Sequence, residues 1–382
     1  MDKKVIKKSF CWALLIALLV RVGIFTVATI SPIKDSNGIL VSPLLEQFTL
    51  DTTFYQESRQ QYANFDFSKI FNELGKFYKD PTVRHNYILA LPTFPLLLQI
   101  FNYTKGNTFM LSFFYLCISI VLSWIWLYWL NKKKLPWYVL WIFALLPNPL
   151  WFMLAISTDL LFALFFAVFF ILYFEKPVEK KFPLWVIPLF IMLLTRPNGI
   201  SIILFVLWDK FLNRQNFSYE KIINIITLIL LVPLIFFLLP YFWTFFDISC
   251  GMSFFNVISK EYIAGIFSCL PMGINQIVSW VCFAGAKVLY FVGLRPSYGN
   301  ISLAVLLARA LPGLILLPGF IYLLLKGDKR HRVLFLFYFL PVFLGASQDR
   351  YNLPFQPVLY YYGVLGIAAL KNKLIGRQAA KD

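Results

Sequence analysis

Long apolar runs separated by short polar segments dominate the chain. Runs of mostly apolar residues recur along it, for example at 10–30, 109–130 and 222–246. A helix needs about 20 such residues to cross about 30 Å of hydrocarbon, so each run predicts a membrane-spanning helix. The pattern therefore predicts an all-α polytopic membrane protein, with a single membrane-embedded domain over residues 1–382.

One long polar segment interrupts this pattern near the N terminus, at residues 31–87. The apolar run before it follows several lysines and is not followed by a small-residue cleavage site, which predicts an uncleaved helix that starts in the cytoplasm. The polar segment is then a large first external loop. Within it, apolar residues at spacings of three and four predict a helix over 65–78 that lies in the membrane interface.

The distribution of charge orients the remaining runs. The formal net charge is +17, which in a soluble protein would suggest nucleic acid as a partner, but the lysines and arginines lie in short segments between apolar runs. Cytoplasmic loops carry this excess, so no nucleic acid partner is expected.

The sequence leaves open whether segments 86–103 and 277–294 cross the membrane. If neither crosses, every basic cluster falls inside and about ten spanning helices remain, against up to twelve if both cross. Residues 247–300 then form a second external or interfacial segment.

Composition supports the membrane-protein class and limits the kinds of reaction that the sequence can support. Hydrophobic residues make up 60% of the chain and charged residues 14%, against about 25% charged in soluble domains. The sequence contains two histidines, and it lacks a glycine-rich phosphate loop, a Ser-His-Asp set and the spacing of zinc ligands. Nucleotide-dependent cytoplasmic chemistry is therefore not supported.

Polar residues at the ends of several apolar runs all fall on the external face in the preferred topology. Such convergence is what a membrane-embedded site requires. The residues are Asp51 in the first loop, Asp159 at the start of a run, Arg196 in a Thr-Arg-Pro-Asn-Gly turn, and Asp349-Arg350-Tyr351 between the last two runs.

Asp51 and Arg350 each have a catalytic and a structural interpretation. Asp51 lies between Leu50 and aromatic residues, where desolvation favours a general base, but Asp-Thr-Thr is also a good helix N-cap sequence. The guanidinium of Arg350 can hold a phosphate or diphosphate through two parallel hydrogen bonds, or it can pair with Asp349. The residues alone leave both alternatives open.

Three other charged residues, Asp159, Arg196 and Arg21, also have both a structural and a functional interpretation. Asp159 can cap its helix together with Ser157 and Thr158, or it can belong to a site. Arg196 lies in a turn by composition and can simply mark the interface. Arg21 lies inside the first apolar run, where a charge is costly, and it can snorkel, pair with a neighbouring helix or act directly.

Several stretches match motifs of one enzyme family. The run Asp51-Thr-Thr-Phe-Tyr resembles an Asp-x-x-x-Tyr element in that family's first external loop, and Leu91-Pro-Thr-Phe-Pro-Leu-Leu resembles its Phe-Pro-Leu-x-Pro element. The stretch from Pro147 to Leu164, which contains Asp159, is similar to a Pro-x-x-x-Phe-Phe segment that continues to Tyr-Ser/Thr-Glu-Ser-Leu-Phe-Ala. The turn around Arg196 resembles Thr/Ala-Arg-x-Asn-Gly.

On these motifs, and on the final Arg350-Tyr351-x-x-Pro354 motif, the chain resembles the GT-C-type integral-membrane glycosyltransferases. Within that class it is most similar to the PIG-V-like mannosyltransferases. The resemblance covers the first half of the chain and its last tenth. Three features depart from the family pattern: Asp159 stands where the family has Glu, Leu50 stands where it has Trp, and the loop after Asp51 is longer than is typical.

The resemblance implies a GT-C-like bundle with a large first external loop and an inverting hexosyltransferase activity. Its donor would be a polyprenyl-phosphate sugar, with mannose implied by the family, and its acceptor a hydroxyl of a glycan, glycolipid or protein. Asp51 would be the general base, and Arg350 with Arg196 would stabilise the lipid phosphate as it leaves. Neither a cofactor nor a metal enters this expectation. The implied substrate-binding residues are Arg350, Tyr351, Arg196, Asp159, Tyr55 and Asn198.

Two other functions fit an integral membrane protein of this kind. A lipid-linked sugar flippase or transporter would carry polar residues through the depth of the bundle and often internal repeats. A polysaccharide polymerase or ligase with a lipid-diphosphate donor would share arginine-rich external loops. The expected location is a bacterial plasma membrane with the site facing outward, and the alternative is the endoplasmic reticulum with a lumenal site.

Overall fold

The computed structural model describes residues 3–31, 33–34, 40–41, 67–80, 91–102, 109–154, 157–175, 184–212, 268–294, 303–344 and 349–378. Over these residues the chain is helical, apart from a two-residue antiparallel pair between β1 (Ile33–Lys34) and β2 (Leu40–Val41). The all-α class predicted from the apolar pattern is confirmed. The helices are α1 (Lys3–Ile30), α2 (Phe67–Lys79), α3 (Thr93–Ile100), α4 (Phe109–Lys132), α5 (Trp137–Ala144), α6 (Pro147–Leu154), α7 (Thr158–Phe170), α8 (Val186–Thr195), α9 (Gly199–Leu207), α10 (Met272–Phe291), α11 (Leu303–Lys326), α12 (Lys329–Leu344) and α13 (Gln356–Gln378).

Three short irregular turns extend or connect these helices. α7 continues as a π turn over Ile171–Glu175, and α9 continues as a π turn over Trp208–Leu212. A 3₁₀ turn over Asp349–Asn352 precedes α13. Such turns are frequent at functional sites and at the ends of helices, and all three carry polar side chains that matter below.

Four helices in the described part of the chain are long and apolar enough to cross a membrane. These are Lys8–Ile30, Phe109–Lys132, Thr158–Glu175 and Met272–Phe291, and the apolar helices Val186–Thr195 and Ala310–Lys326 are shorter. The four helices indicate a membrane protein. The predicted span at 222–246 lies outside the described residues.

The two ambiguous segments take different forms. α3, in the first segment, has 8 residues, which at 1.5 Å per residue is too short to cross about 30 Å. α10 occupies most of the second segment and has 20 residues, so it is long enough to cross by length and composition. The length of α10 therefore permits it to cross the membrane, although the charge distribution favours a topology in which this segment does not cross.

Prolines mark the starts of several helices. α5 follows Pro136, α6 begins at Pro147, and α10 follows Pro271. Proline suits the first turn because its missing N–H has no partner there in any case. The prolines inside α11 and α12 are of the kind that membrane helices tolerate, since neighbouring helices can compensate for the lost hydrogen bonds.

α1 packs on α4 and α5 through one face that includes a buried arginine. Arg21 is 2% exposed; its Nε donates to Ser119 Oγ at 2.9 Å and its Nη1 to the carbonyl of Ala144 at 3.4 Å. Ala144 ends α5, where the helix dipole favours a cation. Of the alternatives for Arg21, these contacts match pairing with neighbouring helices.

α7 lies at the centre of the core and packs against α4 and α8. Its side chains Phe162, Phe166, Phe169 and Phe170 are all fully buried. The Phe166 ring centroid lies 4.7 Å from that of Phe355, at the start of α13. A helix buried on nearly all sides reads as continuously apolar, which explains the weak amphipathic pattern of this stretch.

Candidate functional site

Five of the seven predicted site residues lie in the described segments, and the structure brings them together. Each comes from the end of a different helix or from the turn before α13, so the packing of α7, α8, α9 and α12 positions the set. The residues are Asp159 in the first turn of α7, Arg196 after α8, Asn198 before α9, and Arg350 and Tyr351 in the 3₁₀ turn.

Asp159 forms a buried ion pair with Arg196. Its carboxylate accepts a hydrogen bond from Arg196 Nη1, and the side chains of Asp159 and Arg196 are 2% and 15% exposed. The N-cap of α7 is Ser157, whose side chain accepts from the backbone N–H of Asp159 at 3.4 Å. The capping role predicted as one alternative for Asp159 therefore belongs to Ser157, and the Asp159 carboxylate is used to hold Arg196.

Tyr351 lies beside two guanidinium groups. Its ring centroid is 5.0 Å from the guanidinium carbon of Arg196 and 5.2 Å from that of Arg350. Arg350 Nη2 also donates to the Tyr351 hydroxyl at 3.4 Å. Tyr351 is 3% exposed, so the ring gives both arginines a desolvated surface on which a guanidinium stacks favourably.

Tyr338 of α12, which is not among the predicted site residues, also belongs to this group. Its hydroxyl donates to the backbone carbonyl of Tyr351 at 2.8 Å and lies near the side chain of Asn198. The side chain of Asn352 donates to the carbonyl of Phe291 in α10 at 2.5 Å. A tyrosine in the middle of an apolar run is the signal that would have pointed to Tyr338.

A second tyrosine fixes the start of α7. The hydroxyl of Tyr115, in α4, donates to the carbonyl of Ser157 at 2.5 Å. Both residues are buried, so this bond holds the turn that presents Asp159. The Asp159 carboxylate is thus oriented from its own helix cap and from a neighbouring helix.

The guanidinium groups of the site are suited to an anion. In the described part of the chain, the guanidinium groups of Arg196 and Arg350 meet at the ring of Tyr351, and Arg196 also contacts the carboxylate of Asp159. Arginine offers planar, paired N–H donors that match phosphate oxygens. The arrangement can therefore bind a phosphate group at the end of a membrane bundle, with an aromatic ring beside it.

The structure does not describe the predicted general base or one predicted aromatic contact. Asp51 and Tyr55 fall outside the residues that the structure describes, as does the rest of 42–66. The predicted helix at 65–78 is present as Phe67–Lys79, with Phe71 65% exposed. In the described segments, no group of three or more His, Cys, Asp or Glu side chains is arranged to hold a metal ion.

No protein-family model, no curated protein and no solved structure matches the chain. The resemblance to GT-C enzymes consequently rests on the sequence motifs.

Proposed function

We propose that the protein is an integral-membrane glycosyltransferase that moves a sugar, mannose on the family resemblance, from a polyprenyl-phosphate donor to an acceptor hydroxyl with inversion. The observation that carries the proposal is the meeting of Arg196 and Arg350 at the buried ring of Tyr351, beside the start of a membrane helix. A lipid phosphate has its charged group at the edge of the bilayer, which is where such a site is useful.

The chemistry follows from these groups and from Asp51. The Asp51 carboxylate takes the proton of the acceptor hydroxyl, and the acceptor oxygen attacks the anomeric carbon from the face opposite the phosphate. The bond between that carbon and the phosphate oxygen breaks, and its electron pair leaves with the lipid phosphate. The phosphate gains negative charge, which Arg350 and Arg196 stabilise electrostatically.

The orientation is proposed from charge. Lys132 ends α4 and lies 3.8 Å from Glu175, at the end of α7 opposite Asp159. Arg330 lies against Phe174 at the same end. If this basic end is cytoplasmic, the Tyr351 group faces the outside of the cell or an organelle lumen. We therefore propose an outward-facing site that uses a polyprenyl-phosphate donor, in a bundle of about ten spanning helices.

A lipid-linked sugar flippase is the second candidate, and one observation favours it. A second ion pair, between the fully buried Asp209 and the partly exposed Arg330, joins α9 to α12 at their other ends, so polar groups are not confined to one face. Between the two pairs, however, aromatic side chains pack closely: the ring centroids of Tyr338 and Phe355 are 4.9 Å apart. This packing favours the enzyme over a path through the bundle.

The test uses purified protein in detergent with radiolabelled polyprenyl-phosphate mannose and a membrane lipid extract as acceptor. We expect release of polyprenyl phosphate together with a labelled product of inverted anomeric configuration. Asp51→Asn should abolish both, because the amide cannot accept the acceptor proton. Its insertion into the membrane should be unchanged.

Two outcomes would contradict the proposal. Substantial transfer by Asp51→Asn would exclude Asp51 as the base. Failure of wild-type protein to transfer from several lipid-phosphate sugars, combined with stereospecific movement of those lipids across vesicles that contain it, would support the flippase instead.

A further inference from the structure

The C-terminal ends of α7 and α9 hold a second polar cluster. Asp209 is fully buried there, and Arg330 donates to both of its carboxylate oxygens, Nε to Oδ1 at 3.1 Å and Nη2 to Oδ2 at 2.8 Å. The Tyr173 hydroxyl donates to Oδ2 at 2.8 Å. The Arg330 guanidinium carbon lies 4.8 Å from the Phe174 ring centroid. The pair is therefore held in one geometry from several sides.

The hydrogen-bonding capacity of this cluster is used internally. Glu175 accepts from Trp129 Nε1 at 2.8 Å and from Lys133 Nζ at 2.7 Å. Asp328 accepts from two backbone N–H groups in the first turn of α12, at 2.9 and 3.2 Å. Carboxylates that are satisfied in this way support a structural role better than the binding of a ligand.

Helices α9 and α12 connect this cluster to the Tyr351 site. These two helices pack against each other. At one level Asn198, before α9, lies near the Tyr338 hydroxyl of α12. At the other level Asp209 and Arg330 form the bidentate pair. Asn198 and Asp209 are about 16 Å apart along the helix, at 1.5 Å per residue. The two helices thus meet at two levels, and the site lies at one of them.

We propose that Asp209 and Arg330 are positioning residues for the Tyr351 site. A bidentate pair tolerates little sliding, whereas a shift of one residue along a helix is about 1.5 Å. The pair therefore sets the register of α9 against α12. That register holds Asn198 and Tyr338 in place, and the Tyr338 hydroxyl holds the carbonyl of Tyr351. The activity readout of this proposal rests on the proposed function, but its structural readout does not.

A stabilising role alone makes a different prediction. Replacing both members of a buried ion pair by apolar residues of similar volume is often neutral for stability, whereas removing one member is strongly destabilising. The double variant Asp209→Leu/Arg330→Met should therefore fold, yet it loses the directional constraint between the two helices. A positioning role requires the distant turn to respond in this folded variant.

The test is hydrogen exchange by mass spectrometry on the full-length protein in detergent. The backbone N–H groups of Leu353 and Phe355 donate to the carbonyls of Arg350 and Asn352, so they report the order of the site turn. We expect their exchange to be at least tenfold faster in the double variant, while its melting temperature stays near that of the wild type. We also expect the apparent donor affinity to fall at least fivefold.

The controls separate the outcomes. Glu175 lies at the same end of the bundle but bonds α7 to α4, so Glu175→Gln should leave exchange at Leu353 and Phe355 unchanged. An increase in exchange equal to that of the double variant would mean general loosening and would overturn the proposal. Unchanged exchange in the folded double variant also overturns it, whether or not the protein transfers sugar. Faster exchange without any sugar transfer by wild type would sustain the positioning role and reject the proposed function.

A second variant covers the case in which the double variant fails to fold. Arg330→Lys keeps the charge but cannot make the paired hydrogen bonds, so it should give an intermediate increase in exchange. No increase in this variant would overturn the proposal.

Discussion

At the scale of single residues, Tyr351 links the two arginines of the candidate site. Its ring is the neighbour of both guanidinium groups, its hydroxyl accepts from Arg350, and its carbonyl accepts from Tyr338. A guanidinium stacked on a ring keeps its in-plane N–H groups available for an anion. Tyr351 can thus order both cations without neutralising either of them.

Asp159 has the opposite effect on one of the two arginines, because it neutralises Arg196. We predict that Asp159→Asn lowers the free energy of unfolding by roughly 1–3 kcal/mol, since Arg196 keeps its charge without its buried partner and is only partly exposed. A double-mutant cycle with Arg196→Gln, followed by thermal unfolding in detergent, measures the coupling. Additive single effects would show that the ion pair contributes nothing.

Tyr338→Phe tests the hydroxyl that connects α12 to the site turn. We predict a loss of about 1–3 kcal/mol in stability, because the buried carbonyl of Tyr351 loses its donor. The donor affinity, measured as the concentration dependence of sugar transfer, should fall as well. Tyr360→Phe is the matched control, because its hydroxyl donates to the carbonyl of Val139 at 2.8 Å in the core. It should lose similar stability and keep its donor affinity; equal losses of affinity would count against Tyr338.

At the scale of elements, α11 and α13 approach each other through glycine. A Cβ added at Gly319 would meet the carbonyl oxygen of Leu359, and one added at Gly363 would meet that of Ile315. Small residues permit such backbone contact between membrane helices, where packing drives association. This contact fixes α13 and therefore the turn in front of it.

Gly319→Ala should destabilise the bundle, because the clash is with backbone and cannot be relieved by a rotamer change. We expect roughly 1–3 kcal/mol, seen as a lower melting temperature in detergent. Gly285→Ala in α10 is the control, since a Cβ there has nothing within 4 Å and alanine favours a helix. A melting temperature for Gly319→Ala as high as that of the control would contradict the close approach.

The elements differ in how far the sequence predicts them. The apolar runs predict α1, α4 and α7 well, because lipid-facing and buried positions are both apolar in a membrane helix. The bends between α5 and α6, and the π turns after α7 and α9, have no periodicity signal. They depend on packing against neighbouring helices, which a single sequence does not reveal.

At the scale of the whole molecule, the two ends of the bundle differ in charge and in titration. His331, in the first turn of α12, is 8% exposed, and its Nδ1 lies 3.0 Å from the Tyr362 hydroxyl. Burial lowers the pKa of His331 to about 4. Its ordinary pKa is about 6.5, so between these two values the unfolded chain binds a proton that the folded protein does not.

Stability should therefore fall as the pH drops from about 6.5 to about 4, by up to roughly 3 kcal/mol from this residue. Above pH 6.5 the residue contributes no pH dependence. Thermal unfolding across this range, compared between wild type and His331→Asn, measures it. The variant cannot titrate at this position and should show a flatter acid dependence; identical slopes would exclude His331 as the source.

The sequence predicts the members of the site better than their contacts. The convergence of Asp159, Arg196 and Arg350 follows from topology, because alternate loops of a bundle share a face. That Arg196 pairs with Asp159, and that Tyr338 completes the group, depends on rotations of α8 and α12 about their axes. Those rotations are set by packing, for which the apolar pattern gives little guidance when all faces are apolar.

The most direct test of the central claim is the binding of a short-chain polyprenyl phosphate to purified protein, with the matching polyprenol as a probe of membrane partitioning alone. We predict that the phosphate binds more tightly than the alcohol and that Arg350→Ala weakens it at least tenfold, since a charge-assisted hydrogen bond contributes about 1.5–3 kcal/mol. Arg332→Ala, at the start of α12, should bind as wild type does. Equal affinity for phosphate and alcohol, or an unchanged dissociation constant in Arg350→Ala, would contradict a lipid-phosphate site at Tyr351.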